Sequence, residues 1–352
     1  MMDLMICDSF AARYSELART IREDKSYEFL STDKRLGNNL IMLGLGGSYA
    51  YGTSNAGSDI DVRGVAMNST DEIYLGRDFE QITSDVTDTT IYSVKKLFRL
   101  LTAANPNTIE ILGLSDDQII YTTPVWEKIR GNRDMFLSKR VINAFGGYAN
   151  AQLRRLETKS ARATGQADRE RYILGSIQSA ATDFRARYAR MDSDAIRLYT
   201  DTSDKEDYDT EIYIDAHLSH YPLRDFASLI NDYHAVIRGY DKIGKRNQKA
   251  IEHGKLGKHM MHLVRLYYMC FDILEKGEIN TYRADEHDEL MAIRNGKYLN
   301  DDKSVKPEFK DLVDSLQARL EEDSSKTTLP DEPDTDRIDS LLCEILEERV
   351  RG

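Results

Sequence analysis

The stretch GGSYAYGTSNAGSDIDVRG, residues 46–64, decides how this chain is read. It follows LIMLGLG (40–46), an apolar run that reads as a buried strand closing on glycines. Two glycines and a serine then lead to Asp59 and Asp61, which flank a single isoleucine. Two loops that hold phosphate by backbone alone are excluded. A dinucleotide fingerprint needs G-x-G-x-x-G, and the run from Gly44 places Tyr49 where the last glycine belongs. A Walker loop needs Gly-Lys-Ser/Thr, and no lysine occurs between Asn39 and Arg63.

SDIDVRGVAM (58–67) alternates as a second strand would. Side chains two apart on a strand share a face, with Cα atoms roughly 6.5–7 Å apart. Asp59 and Asp61 are therefore expected to close on a pair of divalent cations about 4 Å apart, the spacing of two-metal phosphoryl chemistry. Mg²⁺ suits one or two carboxylates supplemented by substrate phosphate, and Mn²⁺ is the alternative. Gly46 and Gly47 would let backbone approach a triphosphate, with Ser48 donating to its terminal phosphates. A third carboxylate is needed beside the acceptor hydroxyl. Asp88 shares a strand face with Thr90 and Tyr92, whereas Asp85 has the opposite parity and reads as a turn acid. Asp88 is the choice. Arg63 has the parity of 59 and 61 and could pair with Glu110 or orient a phosphate; Glu110 itself reads as a structural partner.

Working outward, residues 9–34 read as one helix, and 79–94 as one or two further strands. KKLFRLLTAA (95–104) is an amphipathic helix that stops before Asn105-Pro106, because the residue before proline is pushed out of helical geometry. Another short helix follows, capped by Asn107 or Thr108. Beyond residue 124 strand signals fade, and helices are expected over 138–160, 167–200, 222–238, 248–276, 284–295 and 307–322. The chain is thus expected to be α+β: a small mixed-sheet domain over 1–122, then a larger all-helical domain over 123–323. SSKTTLPDEPDTD (324–336) reads as a linker, and 337–352 as a terminal helix.

The chain has 352 residues, 41% hydrophobic and 31% charged, with a formal net charge of −12. That balance argues against a generic nucleic-acid coat. The charge is partitioned, however: Arg238 to Arg265 holds eight Lys or Arg against Asp241 and Glu252. This run is a candidate track for an anionic polymer; Lys139, Arg140, Arg154, Arg155 and Lys159 could add to it or form a solvent face. Lys258, His262 and Arg265 recur at i, i+4 and i+7, one side of a helix, and suit a triphosphate or an acceptor backbone. His253 and His259 beside His262 lack the cysteines or the H-E-x-x-H pattern of a zinc site. No apolar run approaches the ~20 residues of a membrane span. The acidic N-terminus is no secretory signal, and Cys7, Cys270 and Cys343 are too scattered for a disulfide framework. A cytoplasmic setting with no membrane partner is expected.

The order strand, Gly-Ser, short helix, Asp-x-Asp strand resembles the polymerase-β-type nucleotidyltransferase superfamily. The closer likeness is to a bacterial and phage branch of polymerase-β-like proteins associated with RNA repair. That branch reads as Gly47-Ser48-Tyr49-Ala50-Tyr51-Gly52, Ser58 to Gly64, Asp88 with Tyr92, and Asn105-Pro106 with Glu110. A later block, 258–283 with LMAIRNGK (290–297), also resembles it. The likeness is good over 41–113 and 255–298 and poor over roughly 160–240 and after 300. It implies transfer of a nucleoside monophosphate from an NTP, with pyrophosphate released and an RNA end such as a tRNA 3′ end as acceptor. Relatives in the superfamily modify protein hydroxyls or small molecules, so AMPylation of a protein is a second expectation. A nucleotide-binding regulator without turnover is a third.

Overall fold

The computed structural model describes residues 6–55, 57–146, 196–202, 210–216, 256–301 and 305–351, with scattered positions between 220 and 230. The single N-terminal helix expected over 9–34 is instead three, α1 (Asp8–Arg13), α2 (Ser15–Glu23) and α3 (Phe29–Thr32), with a 3₁₀ turn at Lys25–Tyr27. Tyr14, at φ −123°, breaks the first join. At the second, the Asp24 carboxylate accepts from the Ser26 backbone N–H at 2.8 Å, a local bond that competes with helix. The fragments still deliver Phe10, Ile21 and Leu30 to one core, against Leu43, Leu45, Val62 and Ile91 of the sheet.

That sheet is mixed and five-stranded. β1 (Leu40–Leu45) is buried at every position, so both its faces are covered. It leads into α4 (Gly47–Tyr51), then β2 (Val62–Ala66), α5 (Thr70–Leu75), β3 (Gln81–Ser84) and β4 (Thr89–Ser93). α6 (Val94–Thr102), α7 (Pro106–Leu112), β5 (Ile119–Thr122) and α8 (Pro124–Gly131) follow. The strand order is β3-β4-β2-β1-β5. β1 is antiparallel to β2 and β5, whereas β2 and β4 run parallel, with Val62 beside Thr89. Parallel neighbours need a crossover, which α5 and β3 supply. Ser93 caps α6 by accepting from Lys96 N at 3.1 Å. α7 is capped by Asn105, two residues before the Asn107, and three before the Thr108, that were expected to cap it. The Asn105 side chain accepts from Asn107 N, and Pro106 takes the first helical position, where its missing N–H has no partner to lose.

The second half is not purely helical. β6 (Ile196–Thr202) and β7 (Thr210–Ala216) form an antiparallel pair, which corrects the reading of 167–200 as helix throughout. Ile196 and Leu198 alternate with Arg197 and Tyr199 at the strand period of two. Helices α9 (Leu256–Lys276), α10 (His287–Arg294), α11 (Pro307–Lys326) and α12 (Thr335–Arg351) follow. The helices expected over 147–195 and 231–255 lie outside the described residues, as do most of the basic run and Arg154, Arg155 and Lys159.

By contacts the chain falls into two compact units. One compact unit holds 1–150, 262–291 and 313–352, the other 151–261 and 292–312. The segment read as a linker is tied down within the first unit. Lys139 N donates to Pro330 O at 2.8 Å, Asp334 N to Met135 O at 3.0 Å, and Thr327 Oγ1 to Leu274 O at 2.8 Å. Lys139 pairs with Asp331 and Arg140 with Glu332, so these two cations serve the fold. α12 then lies against α5 and α6, burying Ile338, Leu341 and Ile345, while Lys128 pairs with Glu344 and Glu348. The terminal helix is a cap. Ile345→Ala should lower stability by about 2–4 kcal/mol, read as a fall in denaturant midpoint at unchanged slope.

Burial works against ionisation of Asp272, but Lys276 at 2.8 Å and Arg283 at 2.5 Å more than offset it and hold its carboxyl below the usual carboxylate range. A depressed folded value means that the stabilisation is complete above the unfolded value of about 3.9 and fades as pH falls through it. Asp272→Asn should therefore flatten the decline of Tm below about pH 4 and lower Tm at neutral pH.

Candidate active site

The turn after β1 is built around an acid. Gly46 N donates to Asp61 O at 2.8 Å, which fastens the end of β1 to the approach of β2. A Cβ on Gly46 would lie 3.2 Å from the Asp61 Cβ and 2.9 Å from Arg63 Cγ. Gly47 adopts φ +54°, and a Cβ there would overlap the Asp61 carboxylate. The glycines thus make room for Asp61, in a place that the sequence reading assigned to a triphosphate. α4 ends at Gly52, also left-handed at φ +75°, where a Cβ would meet the Tyr282 ring at 2.5 Å.

Asp59 and Asp61 do not sit on a strand together. β2 begins only at Val62, because Asn55 organises the preceding loop. Its side chain accepts from Gly57 N at 3.2 Å and from Ser58 Oγ at 3.1 Å, drawing 55–58 into a turn. Asp59 is exposed, while the Asp61 side chain is only 13% exposed. Asp88 also precedes its strand. It occupies φ +43°, a left-handed turn conformation that aspartate tolerates, so strand parity does not aim it. Its side chain is 61% exposed. Asp85 lies exposed in the same turn.

Parallel pairing nevertheless brings Asp61 and Asp88 together. Val62 N donates to Asp88 O at 3.2 Å, so the two acids open adjacent strands side by side. Arg63 lies between them: its guanidinium is 3.6 Å from Asp61 Oδ1 and 3.8 Å from Asp88 Oδ1, and it donates to Asp88 O at 2.8 Å. Its partners are these acids rather than Glu110. Tyr27, which the sequence did not single out, is buried nearby; burial first, then the fields of Asp24, Asp61 and Asp88, push its phenol up. Among the described residues, no three His, Cys, Asp or Glu side chains gather closely enough to hold a metal ion. The donor chemistry fits a hard divalent cation all the same, since two carboxylates already share one positive group.

The expected phosphate ligands are arranged unevenly. Ser48 is only 2% exposed, so its hydroxyl is closed off from solvent in this conformation. Gly47 is half-buried. His262 packs edge-on against Tyr51, centroids 5.8 Å apart. Arg265 is turned inward: its guanidinium carbon stands 3.4 Å from the Tyr51 ring centre and its Nη1 3.4 Å from Glu110 Oε2. Tyr51 donates to the same Oε2 at 2.8 Å. Burial pushes both Glu110 and Tyr51 up, and the positive charge of Arg265 opposes the shift in each. Arg265 is thus committed to the interior, where its guanidinium meets Tyr51 and Glu110. Lys258, half-buried on the first turn of α9, falls in the second unit.

Residues 17–173 match the model of the RlaP family, described as the RNA repair pathway DNA polymerase beta family. That segment is similar to this family. A protein of Enterobacteria phage T4, described as an uncharacterized 38.9 kDa protein in the nrdC-mobD intergenic region, is 26% identical over 129 residues. The alignment takes in 33% of this chain and 38% of that protein, well under half of its length. No solved structure matches the chain. No described helix is long and apolar enough to cross a membrane. The matched segment, 17–173, takes in the Gly-Ser turn, Asp59, Asp61, Asp88 and Glu110, and stops short of α9.

Proposed function

We propose that the chain is a divalent-metal-dependent nucleotidyltransferase that moves a nucleoside monophosphate from an NTP to an acceptor hydroxyl, releasing pyrophosphate. The acceptor we propose is an RNA 3′ end of tRNA type. One observation carries the reading: Asp61 packs against the Gly46–Gly47 turn and beside Asp88, inside a segment similar to the polymerase-β-like RNA-repair family.

Asp59, Asp61 and Asp88 would hold Mg²⁺, or Mn²⁺ in its place. A cation held there offsets triphosphate charge and acidifies the acceptor hydroxyl. The chain's own groups do the remainder. The Gly47 backbone, and the Ser48 hydroxyl once the turn opens, bind the β- and γ-phosphates. Asp88, well exposed, is placed to take the proton of the acceptor. Arg63, freed from the two acids, is placed to meet the α-phosphate charge. For His262 and Lys258 a phosphate role rests on their i, i+4 register on α9. Cysteine use and composition support a cytoplasmic setting.

A second reading, a nucleotide-binding regulator, is favoured by the absence of a gathered acid triad among the described residues. Incubation with each α-³²P-labelled NTP, Mg²⁺ or Mn²⁺ and total cell extract separates the possibilities. Label in an RNase-sensitive product is expected. Label in protein would assign the acceptor to AMPylation, and NTP binding with no pyrophosphate release would favour the regulator.

A further inference from the structure

The two blocks of sequence that flank the poorly matched middle meet at one buried point. Glu110 comes from α7 and Arg265 from α9, 155 residues apart, and their side chains are 7% and 5% exposed. Between them stands Tyr51, the last residue of α4. Its hydroxyl donates to Glu110 Oε2 at 2.8 Å, and its ring lies 3.4 Å under the Arg265 guanidinium. The backbone around the cluster is fastened as well. Arg283 N donates to Tyr51 O at 3.1 Å, and Thr281 Oγ1 to Glu110 O at 2.6 Å. α4 is only five residues long, so it is too short to hold its own orientation. One end of it is Gly47, pressed against Asp61; the other is Tyr51, clamped by Glu110 and Arg265.

We propose that Glu110, Tyr51 and Arg265 are positioning residues that set the Gly47-Ser48 turn relative to Asp61, so that nucleotide affinity depends on a cluster that touches no nucleotide. This rests on reading the turn as the NTP site. Such a cluster suits the task because a buried hydroxyl–carboxyl hydrogen bond and a stacked guanidinium both have strict geometry. A five-residue helix anchored this way transmits a shift at Tyr51 directly to its first residue.

The test is equilibrium binding of MgATP, MgCTP, MgGTP and MgUTP by calorimetry, with melting of each variant measured in parallel. Tyr51→Phe removes the hydroxyl and keeps the ring. Arg265→Lys keeps the charge and loses the planar fork. The double variant Glu110→Gln/Arg265→Met removes both charges, so that neither is left buried and alone. For the nucleotide that the wild type binds most tightly, each variant should raise Kd about tenfold, the equivalent of about 1.4 kcal/mol. The Tyr51→Phe and Arg265→Lys effects should combine less than additively, as they act through one cluster. Folded variants that bind the nucleotide as the wild type does, with only Tm lowered, would reduce the cluster to a packing role and overturn the proposal. A wild type that binds none of the four overturns the nucleotide reading itself, and this inference with it.

Discussion

Asp61→Asn should lower nucleotidyl transfer by about 10²–10³-fold and leave the fold intact. The substitution keeps the shape of the side chain, and the Gly46 N to Asp61 O bond is made by backbone, so the turn is not released. What is lost is one negative charge facing Arg63 and Asp88. The Asp61–Arg63 pair is long, at 3.6 Å, and Arg63 keeps its bond to Asp88 O at 2.8 Å, so the loss should cost about 1–2 kcal/mol. Activity and stability should therefore separate: pyrophosphate release collapses while Tm moves by a few degrees. Asp88→Asn should lower transfer with even less effect on Tm, because its side chain is largely in solvent. Full transfer by Asp61→Asn in Mg²⁺ would remove that carboxylate from the chemistry.

Gly47→Ala should damage stability and transfer together. Its φ of +54° costs an L-residue about 1–2 kcal/mol. The added Cβ would also occupy the place of an Asp61 carboxylate oxygen, so either that side chain or the turn must move. Transfer should fall to the level of Asp61→Asn, with Tm lower by several degrees. Gly76 supplies the control. It ends α5 at φ +61°, and a Cβ there would meet nothing within 4 Å. Gly76→Ala should therefore show the conformational cost alone and keep its transfer rate. Equal transfer by the two alanine variants would detach the turn from the reaction.

Much of the site was legible because it is local. A buried run, two glycines and a serine announce a strand closing on a tight turn, and β1 and α4 lie there. The strand after it begins at Val62 rather than Ser58, since the Asn55 side chain bonds within 55–58 and no periodicity reports such a bond. The position of Asp88 does not follow from strand parity. Strand parity selected it, yet it reaches Asp61 through the parallel pairing of β2 with β4, which depends on a crossover rather than on its own neighbours. The partner of Glu110 could not be found by spacing at all, because Arg265 is 155 residues away. Helical register placed His262 and Arg265 on one side of a helix but not which side faces solvent. The interior took it, since Tyr51 and Glu110 offer a ring and a charge that satisfy a guanidinium there. In the same way Pro330 and Asp334 read as linker residues by composition, while backbone bonds to Lys139 and Met135 pin them.

The central claim is that the acids opening β2 and β4 and the turn before α4 form one cation and triphosphate site. Electron paramagnetic resonance of Mn²⁺, titrated with and without a non-hydrolysable NTP analogue, reads it directly. The wild type should bind Mn²⁺ more tightly when the analogue is present, and Asp61→Asn/Asp88→Asn should lose both the binding and its dependence on nucleotide. Identical Mn²⁺ titrations for wild type and double variant would contradict the account.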